Sequence, residues 1–217
     1  MALGQRARSA DAKAERRDII LAAARERFGT GHPADISMVQ VAAAAGVAKG
    51  TLYLYFKTKE ELFLALLEYD LDGWFDALDS ALGYGAGRLQ AAALSDVLVT
   101  SLVERPALRR LLALLGPVIE QNVEYDRALR FRWRLAARVT ATGALLERRT
   151  VFLRPGDGVR LLQQLHALTA GLQQLAEPAP VMRRILEAPG MEVLRVDFER
   201  ELRGAVRALL TGLERTN

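Results

Sequence analysis

Cysteine is absent from this chain of 217 residues, and histidine is nearly so, with only His32 and His166. A chain without cysteine has no thiol nucleophile, no disulfide and no zinc–thiolate site. Two histidines far apart in the sequence also argue against a histidine-based metal centre or acid/base pair. The lack of cysteine and the scarcity of histidine argue against a function based on thiol or metal chemistry.

Long apolar runs are missing too, although 51% of the residues are hydrophobic. The longest apolar patch, Leu111 to Ile119, is broken by Gly116 and Pro117 and is shorter than the roughly 20 residues that span a bilayer. The basic residues near the amino terminus are not followed by the apolar segment of a signal peptide. We therefore expect a cytoplasmic protein with a sizeable core, no membrane partner and no cofactor.

Positive charge is concentrated in the first quarter of the chain. The net charge is +4. Residues 1–57 hold nine Lys/Arg against five Asp/Glu, whereas residues 58–217 hold 21 of each kind. A basic region followed by a neutral one indicates that only the first part of the chain faces a polyanion.

Helical periodicity runs through almost the whole chain, and no segment shows sustained strand alternation. Glycine and proline clusters separate the helices, and residues 1–10 form a polar arm. The fold class is therefore all-α, with a small domain over residues 1–70 and a larger one over 71–217 that share a long helix. The predicted helices are 11–28, 38–44, 49–56, 59–82, 88–103, 107–121, 124–149, 159–176 and 191–213.

Two short helices joined by a tight turn form the most informative segment. Ser37 and Gln40, three residues apart, predict a capping box at the start of the first helix. Gly46 supplies the left-handed turn that ends it. Thr58 and Glu61 predict a second capping box, which opens the long helix. Short helices joined by a glycine-containing turn indicate a helix-turn-helix, whose second helix enters the major groove of DNA.

The second short helix carries residue types that suit a DNA contact. Apolar residues at helical spacing are placed to pack inward: Val41, Ala42, Val47, Leu52 and Phe56. Lysine and tyrosine side chains on the other face bind phosphate and bases, and glycine lets the backbone approach. Lysines at the start of the next helix add charge near its free N–H groups. The predicted DNA-binding residues, with the caps included, are Ser37, Gln40, Ala48, Lys49, Gly50, Thr51, Tyr53, Leu54, Tyr55, Lys57 and Lys59.

The stretch from Ile19 to Leu62, with IILAAARERF, ISMVQVA, AGVAKGTLYLYF and KTKEEL, resembles the DNA-binding domain of TetR-family transcriptional regulators. It departs from the family pattern at Ala48, where serine is frequent, at Leu54, where an aromatic residue is frequent, and at Tyr55, where histidine is. The operator sequence therefore does not follow from the resemblance. The resemblance implies an all-helical homodimer whose larger carboxy-terminal domain dimerises and binds a small inducer.

The later helices suggest where a dimer and an inducer would form contacts. One stripe contains Val159, Leu162, His166 and Thr169, and another contains Leu202, Val206, Leu209 and Leu213. These stripes predict a four-helix dimer bundle through the helices at 159–176 and 191–213. Many leucines and alanines between 88 and 176 predict an apolar cavity for an apolar or amphipathic inducer. The candidate ligand residues, which alternatively serve only as packing residues, are Trp74, Tyr125, Trp133, Gln163 and His166.

The leading hypothesis is a ligand-responsive repressor that binds a palindromic operator in double-stranded DNA as a dimer. The alternative is a constitutive repressor or an activator without an inducer, because both share the same helix-turn-helix. An enzyme is not supported. The sequence has no catalytic triad order, nucleotide-binding loop, metal-ligand spacing or paired-carboxylate motif.

Overall fold

The structure is a computed structural model that describes residues 2–30, 36–84 and 87–216. Within these ranges the chain forms helices and no strand, and a single β-bridge joins Leu89 to Thr150. The all-α fold class is therefore confirmed. The helices are α1 (Ala2–Thr30), α2 (Met38–Ala44), α3 (Lys49–Tyr55), α4 (Lys59–Gly83), α5 (Ala91–Val103), α6 (Pro106–Leu114), α7 (Tyr125–Arg149), α8 (Asp157–Ala176), α9 (Pro180–Leu186) and α10 (Phe198–Thr216).

Two predicted helix boundaries are wrong, and one helix was not predicted. Helix α1 begins at Ala2, so residues 2–10 continue the helix, as their alanines and arginines favour. The predicted helix at 191–213 is reduced at its start to a 3₁₀ turn, Glu192–Leu194. Helix α10 begins only after Asp197, whose carboxylate accepts a hydrogen bond from Arg200 N at 2.7 Å and acts as an N-cap. Helix α9 was missed, although Pro180 occupies its first turn, a favoured position for proline.

The predicted helix at 107–121 also changes form near its middle. Helix α6 ends at Leu114 and continues as a π-helix, Leu115–Ile119, and a 3₁₀ turn, Glu120–Asn122. Pro117 lies inside this segment and has no N–H to donate to the carbonyl of Ala113. Gln174 Nε2 of α8 donates to that oxygen instead, at 3.1 Å. Proline therefore explains both the widened turn and its bond to α8.

The turn between α2 and α3 follows the sequence prediction closely. Ser37 Oγ accepts from Gln40 N at 3.2 Å, and Gln40 Oε1 accepts from Ser37 N at 3.0 Å, which completes the capping box. Gly46 has a φ of +63°. The second capping box is only half formed: Thr58 Oγ1 accepts from Glu61 N, but the Glu61 carboxylate accepts from Lys57 N at 2.8 Å.

Helix α4 is the common element of the two halves of the chain. Near its start it packs against α1, where the Phe28 and Phe63 rings meet edge to face at 5.2 Å. Further along it packs against α5, α6 and α7. Three arginines of α7 pair with acids of α4, as in Arg127–Glu68 at 2.5 Å. Three of the seven arginines of α7 are therefore paired with acids of α4.

Helix α8 packs between α6, α7 and α10. It touches α7 at the backbone, since a Cβ atom added to Gly158 would lie 2.1 Å from the carbonyl oxygen of Gly143. Helix α10 covers α5 and α8 with Leu202, Val206 and Leu210, which are buried. No helix in the described part of the chain is long and apolar enough to cross a membrane.

Candidate nucleic-acid interface and ligand cavity

The recognition helix α3 is held by its inner face. Leu52 is fully buried, Phe56 is nearly so, and both join the core that contains Val41 and Ile20. Val47 is half-buried against the same core. The predicted inward face of the helix-turn-helix is therefore present, and it fixes which residues of α3 point outward.

The outer face of α3 carries exposed basic, aromatic and apolar groups. Lys49, Gly50 and Tyr53 are exposed, and Leu54 is 82% exposed. Lys49 Nζ lies 5.9 Å from the centre of the Tyr53 ring. The N-cap residue Ala48 makes no side-chain hydrogen bond to the helix. These exposed residues have the chemistry that a major-groove contact uses.

Other residues in the predicted DNA-binding set already contact protein groups. Ser37 and Gln40 bond each other in the capping box, although both stay exposed. Tyr55 is half-buried against the core, and Thr51 is half-buried as well. Lys59 Nζ lies 5.3 Å from the centre of the Phe63 ring.

Lys57 has a partner in the larger half of the chain. Its Nζ donates to Glu124 Oε1 at 2.9 Å, and Glu124 is the residue just before α7. This hydrogen bond raises the pKa of Lys57 and lowers the pKa of Glu124. Both side chains are exposed, so this ion pair between the residue after α3's C-cap and the N-cap of α7 can break without leaving a buried charge.

A cavity of about 400 Å³ lies among α4, α5, α6, α7 and α8. Its wall is mostly apolar, with Trp74 and Phe75 from α4, Leu102 from α5 and Leu165 from α8. The Trp74 indole donates to Ser101 Oγ at 2.9 Å, so its polar atom already has a partner. The volume falls within the range of about 300–1,000 Å³ that is typical of small-molecule sites.

The polar groups of this cavity are few. Arg132, Gln163, His166 and Thr169 belong to the wall. Burial lowers the pKa of His166, nearby Arg132 lowers it further, and Glu120 acts in the opposite direction. The imidazole is therefore neutral at pH 7. The Thr169 hydroxyl is buried and has no hydrogen-bond partner among the residues that the structure describes.

The predicted ligand residues divide into two groups. Trp74, Gln163 and His166 line the cavity. Tyr125 and Trp133 do not, and their exposed fractions are 76% and 70%, so the expectation that they are core or cavity aromatics is wrong. Arg132 also lines the cavity, together with Leu135, Ala136 and Val139, which lie at helical spacing along α7.

The stripes predicted for the dimer interface face this chain's own interior. Leu162, His166 and Thr169 line the cavity, and Leu202 and Val206 are buried in the core. Five of the exposed residues on the same helices are glycine or alanine: Ala167 and Gly171 on α8, and Gly204, Ala208 and Gly212 on α10.

A helix-turn-helix joined to a helical domain with an apolar cavity defines a DNA-binding regulator with a place for a small molecule. Residues 20–66 match the family model of bacterial regulatory proteins of the tetR family. Residues 68–217 match the model of the tetracyclin repressor-like C-terminal domain. The chain therefore belongs to the TetR family of transcriptional regulators, whose members bind operator DNA and dimerise.

Solved structures show the same fold at low sequence identity. The fatty acid degradation regulator FadR from Bacillus halodurans is 20% identical, with 91% of this chain and 95% of that chain covered and a TM-score of 0.58. A TetR transcription regulator from Haloarcula marismortui is 18% identical, with 94% and 98% covered and a TM-score of 0.58. FadR from Bacillus subtilis in complex with stearoyl-CoA is 19% identical, with 88% and 96% covered and a TM-score of 0.56. The comparison with curated proteins gives no match.

Proposed function

We propose that this regulator is a repressor that leaves a palindromic operator when a small apolar or amphipathic molecule fills the cavity. The observation that carries the proposal is the path of α4. This helix begins at Lys59, beside the recognition helix, and its residues Leu71, Trp74 and Phe75 line the cavity. At a rise of about 1.5 Å per residue, the 15 steps from Lys59 to Trp74 span roughly 22 Å of unbroken helix.

The DNA-binding half of the proposal rests on the outer face of α3. Lys49, Gly50, Tyr53 and Leu54 are the exposed residues best placed to reach base edges and phosphate. Lys57 and Lys59 would add phosphate contacts at the start of α4. The division into a DNA-binding domain, 1–70, and a ligand-binding and dimerisation domain, 71–217, is supported by the two family matches, which meet between residues 66 and 68.

The palindromic operator requires a twofold dimer, because each recognition helix reads one half-site. We place the interface on α8 and α10, as the sequence suggested, but on different residues. The exposed small residues on these helices would let two copies approach closely, and four helices would form the bundle. Half-sites should then lie about one helical turn of DNA apart, roughly 34–36 Å, or a small multiple of that.

Release follows from the shared helix. A ligand between α4, α7 and α8 would favour one tilt of α4 over another and change the separation of the two recognition helices. The ligand must prefer the DNA-incompetent arrangement, and the two affinities are linked reciprocally. A coupling free energy of about 1–3 kcal/mol is typical of such linkage. The cavity supports this inducible function over a constitutive repressor, which has no need of one.

The test begins with selection of an operator from random double-stranded DNA by the full chain. Fluorescence anisotropy then gives operator affinity with and without compounds that raise the melting temperature of the protein. We expect a palindromic consensus and at least one compound that weakens operator binding. Failure to enrich any sequence would refute the DNA-binding proposal. Compounds that bind in the cavity and leave operator affinity unchanged would refute induced release.

A further inference from the structure

We propose that the ligand of the cavity is an amphipathic anion, an apolar body with one carboxylate, and that the carboxylate pairs with Arg132 in place of Glu120. This inference rests on the proposed function and specifies the chemistry of its inducer. It follows from the way that polar and apolar groups are divided between the two ends of the cavity.

One end of the cavity is closed and apolar. Leu102, Leu115 and Leu165 are each almost completely buried, and Trp74 and Phe75 complete the wall. The rings of Trp74 and Phe75 lie 4.8 Å apart, centre to centre. The Trp74 indole N–H already donates to Ser101, so a ligand packed against the two aromatic rings does not need to accept a hydrogen bond from them. Apolar surface transferred there from water is the main source of affinity.

The other end of the cavity is polar and open to solvent. The Arg132 side chain is 48% exposed, Gln163 is exposed and His166 is half-buried. Gln163 and His166 are three residues apart on α8 and therefore share a face. Arg132, Gln163 and His166 all line the cavity. A ligand therefore enters with its apolar body first and leaves its polar head at this end.

The charge of the polar end selects the charge of the head. Arg132 is the one formally charged residue of the wall, and no carboxylate lines the cavity among the residues that the structure describes. A guanidinium presents a planar pair of N–H donors that fits a carboxylate. An ammonium head would meet repulsion from Arg132, and a hydroxyl head would gain little from its charge. The wall therefore favours a carboxylate.

Glu120 occupies the position that the ligand carboxylate would take. Its Oε1 lies 2.5 Å from Arg132 Nη2, and the Arg132 side chain remains about half exposed in this pair. A partly exposed ion pair contributes little to stability, so an incoming carboxylate can replace it. Glu120 belongs to the 3₁₀ turn directly after the π-helix that contains Pro117. If a ligand carboxylate replaced Glu120 at Arg132, the 3₁₀ turn and the π-helix before it would lose their ion pair to α7.

The experiment compares ligands that differ only in the head group. Decanoate, decanol and decylammonium form one series, and 2-naphthoate and 2-naphthol form a second with a rigid body. Calorimetry on the protein without DNA, below the concentrations at which the amphiphiles aggregate, gives each dissociation constant. We expect the carboxylate of at least one series to bind up to about fivefold more tightly than its alcohol, which is about 1 kcal/mol, and decylammonium to bind weakest.

Three variants test the assignment to Arg132. Arg132→Gln should lower carboxylate affinity to that of the alcohol and leave alcohol affinity unchanged. Glu120→Gln should raise carboxylate affinity, because Arg132 loses its competing partner. Arg130→Gln removes the same charge from the same helix outside the cavity wall and should change neither affinity. Melting curves of each variant check that it is folded.

Equal affinity of acid and alcohol in both series, binding of neither series, or loss of affinity in Arg130→Gln equal to that in Arg132→Gln would overturn the proposal. Operator release is measured separately. If a neutral or cationic compound binds in the cavity and releases DNA, the repressor function stands and the carboxylate assignment fails. If carboxylates bind through Arg132 and DNA is not released, the assignment stands and the proposed function fails.

Discussion

Arg110 connects the last turn of α1 to the residue that follows α8. Its guanidinium donates to both oxygens of Glu177, at 2.6 and 3.0 Å. The remaining amino group donates to the carbonyl oxygens of Phe28 and Gly29, at 3.1 and 3.0 Å. Those carbonyls lie at the end of α1, where helical partners run out. A single side chain of α6 thus joins the DNA-binding unit to α8, and both α6 and α8 contribute to the cavity wall.

We expect Arg110→Met to weaken the link between the cavity and DNA. The variant keeps the apolar stem but leaves the carbonyls of α1 and the carboxylate of Glu177 without this donor, which should cost about 1–2 kcal/mol of unfolding free energy. An inducer should then reduce operator affinity by a smaller factor than in the unmodified protein. Urea unfolding and anisotropy titrations with and without inducer measure the two effects.

Arg203→Met is the control for Arg110→Met. Arg203 of α10 also pairs with two carboxylates, Asp96 and Glu199, but it has no bond to α1 in the described structure. It should leave the inducer effect unchanged. If both variants retain the full inducer effect, Arg110 is a structural contact only.

The Lys57–Glu124 pair allows two functions of Lys57 to be separated. If Lys57 binds phosphate, Lys57→Gln should weaken binding to all DNA sequences alike and lower the salt dependence of the affinity by about one ion. Glu124→Gln should strengthen binding to all DNA sequences and increase its salt dependence, because Lys57 no longer pairs with a carboxylate and is available to phosphate. Anisotropy titrations at several salt concentrations decide the matter. Tighter DNA binding by Lys57→Gln would show that the lysine acts only within the protein.

The specificity of DNA binding should reside on the outer face of α3. Lys49→Ala and Tyr53→Ala should each cost on the order of 1–3 kcal/mol on the preferred operator. Neither side chain belongs to the core, so the melting temperature should change little. Tyr84→Ala is the matched control, since this exposed tyrosine follows the far end of α4. Normal operator footprints from both α3 variants would mean that another surface reads the bases.

The helix-turn-helix could be predicted from the sequence because the residues that start and end its helices lie within those helices or next to them. The Ser37–Gln40 capping box and Gly46 fix the ends of α2 within a few residues of sequence. Pro117 could have signalled the π-helix, since it cannot donate within a regular helix. Its effect also depends on Gln174 of α8, which lies far away in the sequence. Periodicity alone does not show which partner a helix meets.

The cavity also shows that helical periodicity does not identify which individual residues face a site. Successive residues of a helix are about 100° apart, so Trp133 points to solvent while Arg132 lines the cavity. Composition alone does not show which of these two neighbours faces the cavity. The stripes on α8 and α10 were recognised as apolar faces, but an apolar face fits either the chain's own core or a partner. In the structure, α5 packs against α10 and α7 packs against α8, so these apolar faces belong to the chain's own core.

His166 should make stability depend on pH just below neutrality. Burial lowers its pKa in the folded protein below the ordinary value of 6.5, with Arg132 adding to the shift. The unfolded chain then binds more protons than the folded one as pH falls through 6.5, so stability is lost between that pH and the lowered pKa. Urea unfolding at pH 7.5 and 5.5 should show a larger loss for the unmodified protein than for His166→Gln. Glu120→Gln should enlarge the loss, since Glu120 favours the charged imidazole; an equal loss in all three proteins would contradict this account.

Dimerisation should depend on the small exposed residues of α10 rather than on its leucines. Gly204, Ala208 and Gly212 recur every four residues and so form one stripe. Outside α10's own backbone, a Cβ atom added to Gly204 or Gly212 would meet no atom of the described residues within 4 Å. Ala208→Arg should therefore leave the fold of one chain intact and prevent two copies of α10 from approaching. Sedimentation velocity should then show a monomer with an unchanged circular dichroism spectrum and much weaker operator binding. Ala141→Arg adds the same side chain to an exposed position of α7 and should remain dimeric. A dimeric Ala208→Arg protein would place the interface elsewhere.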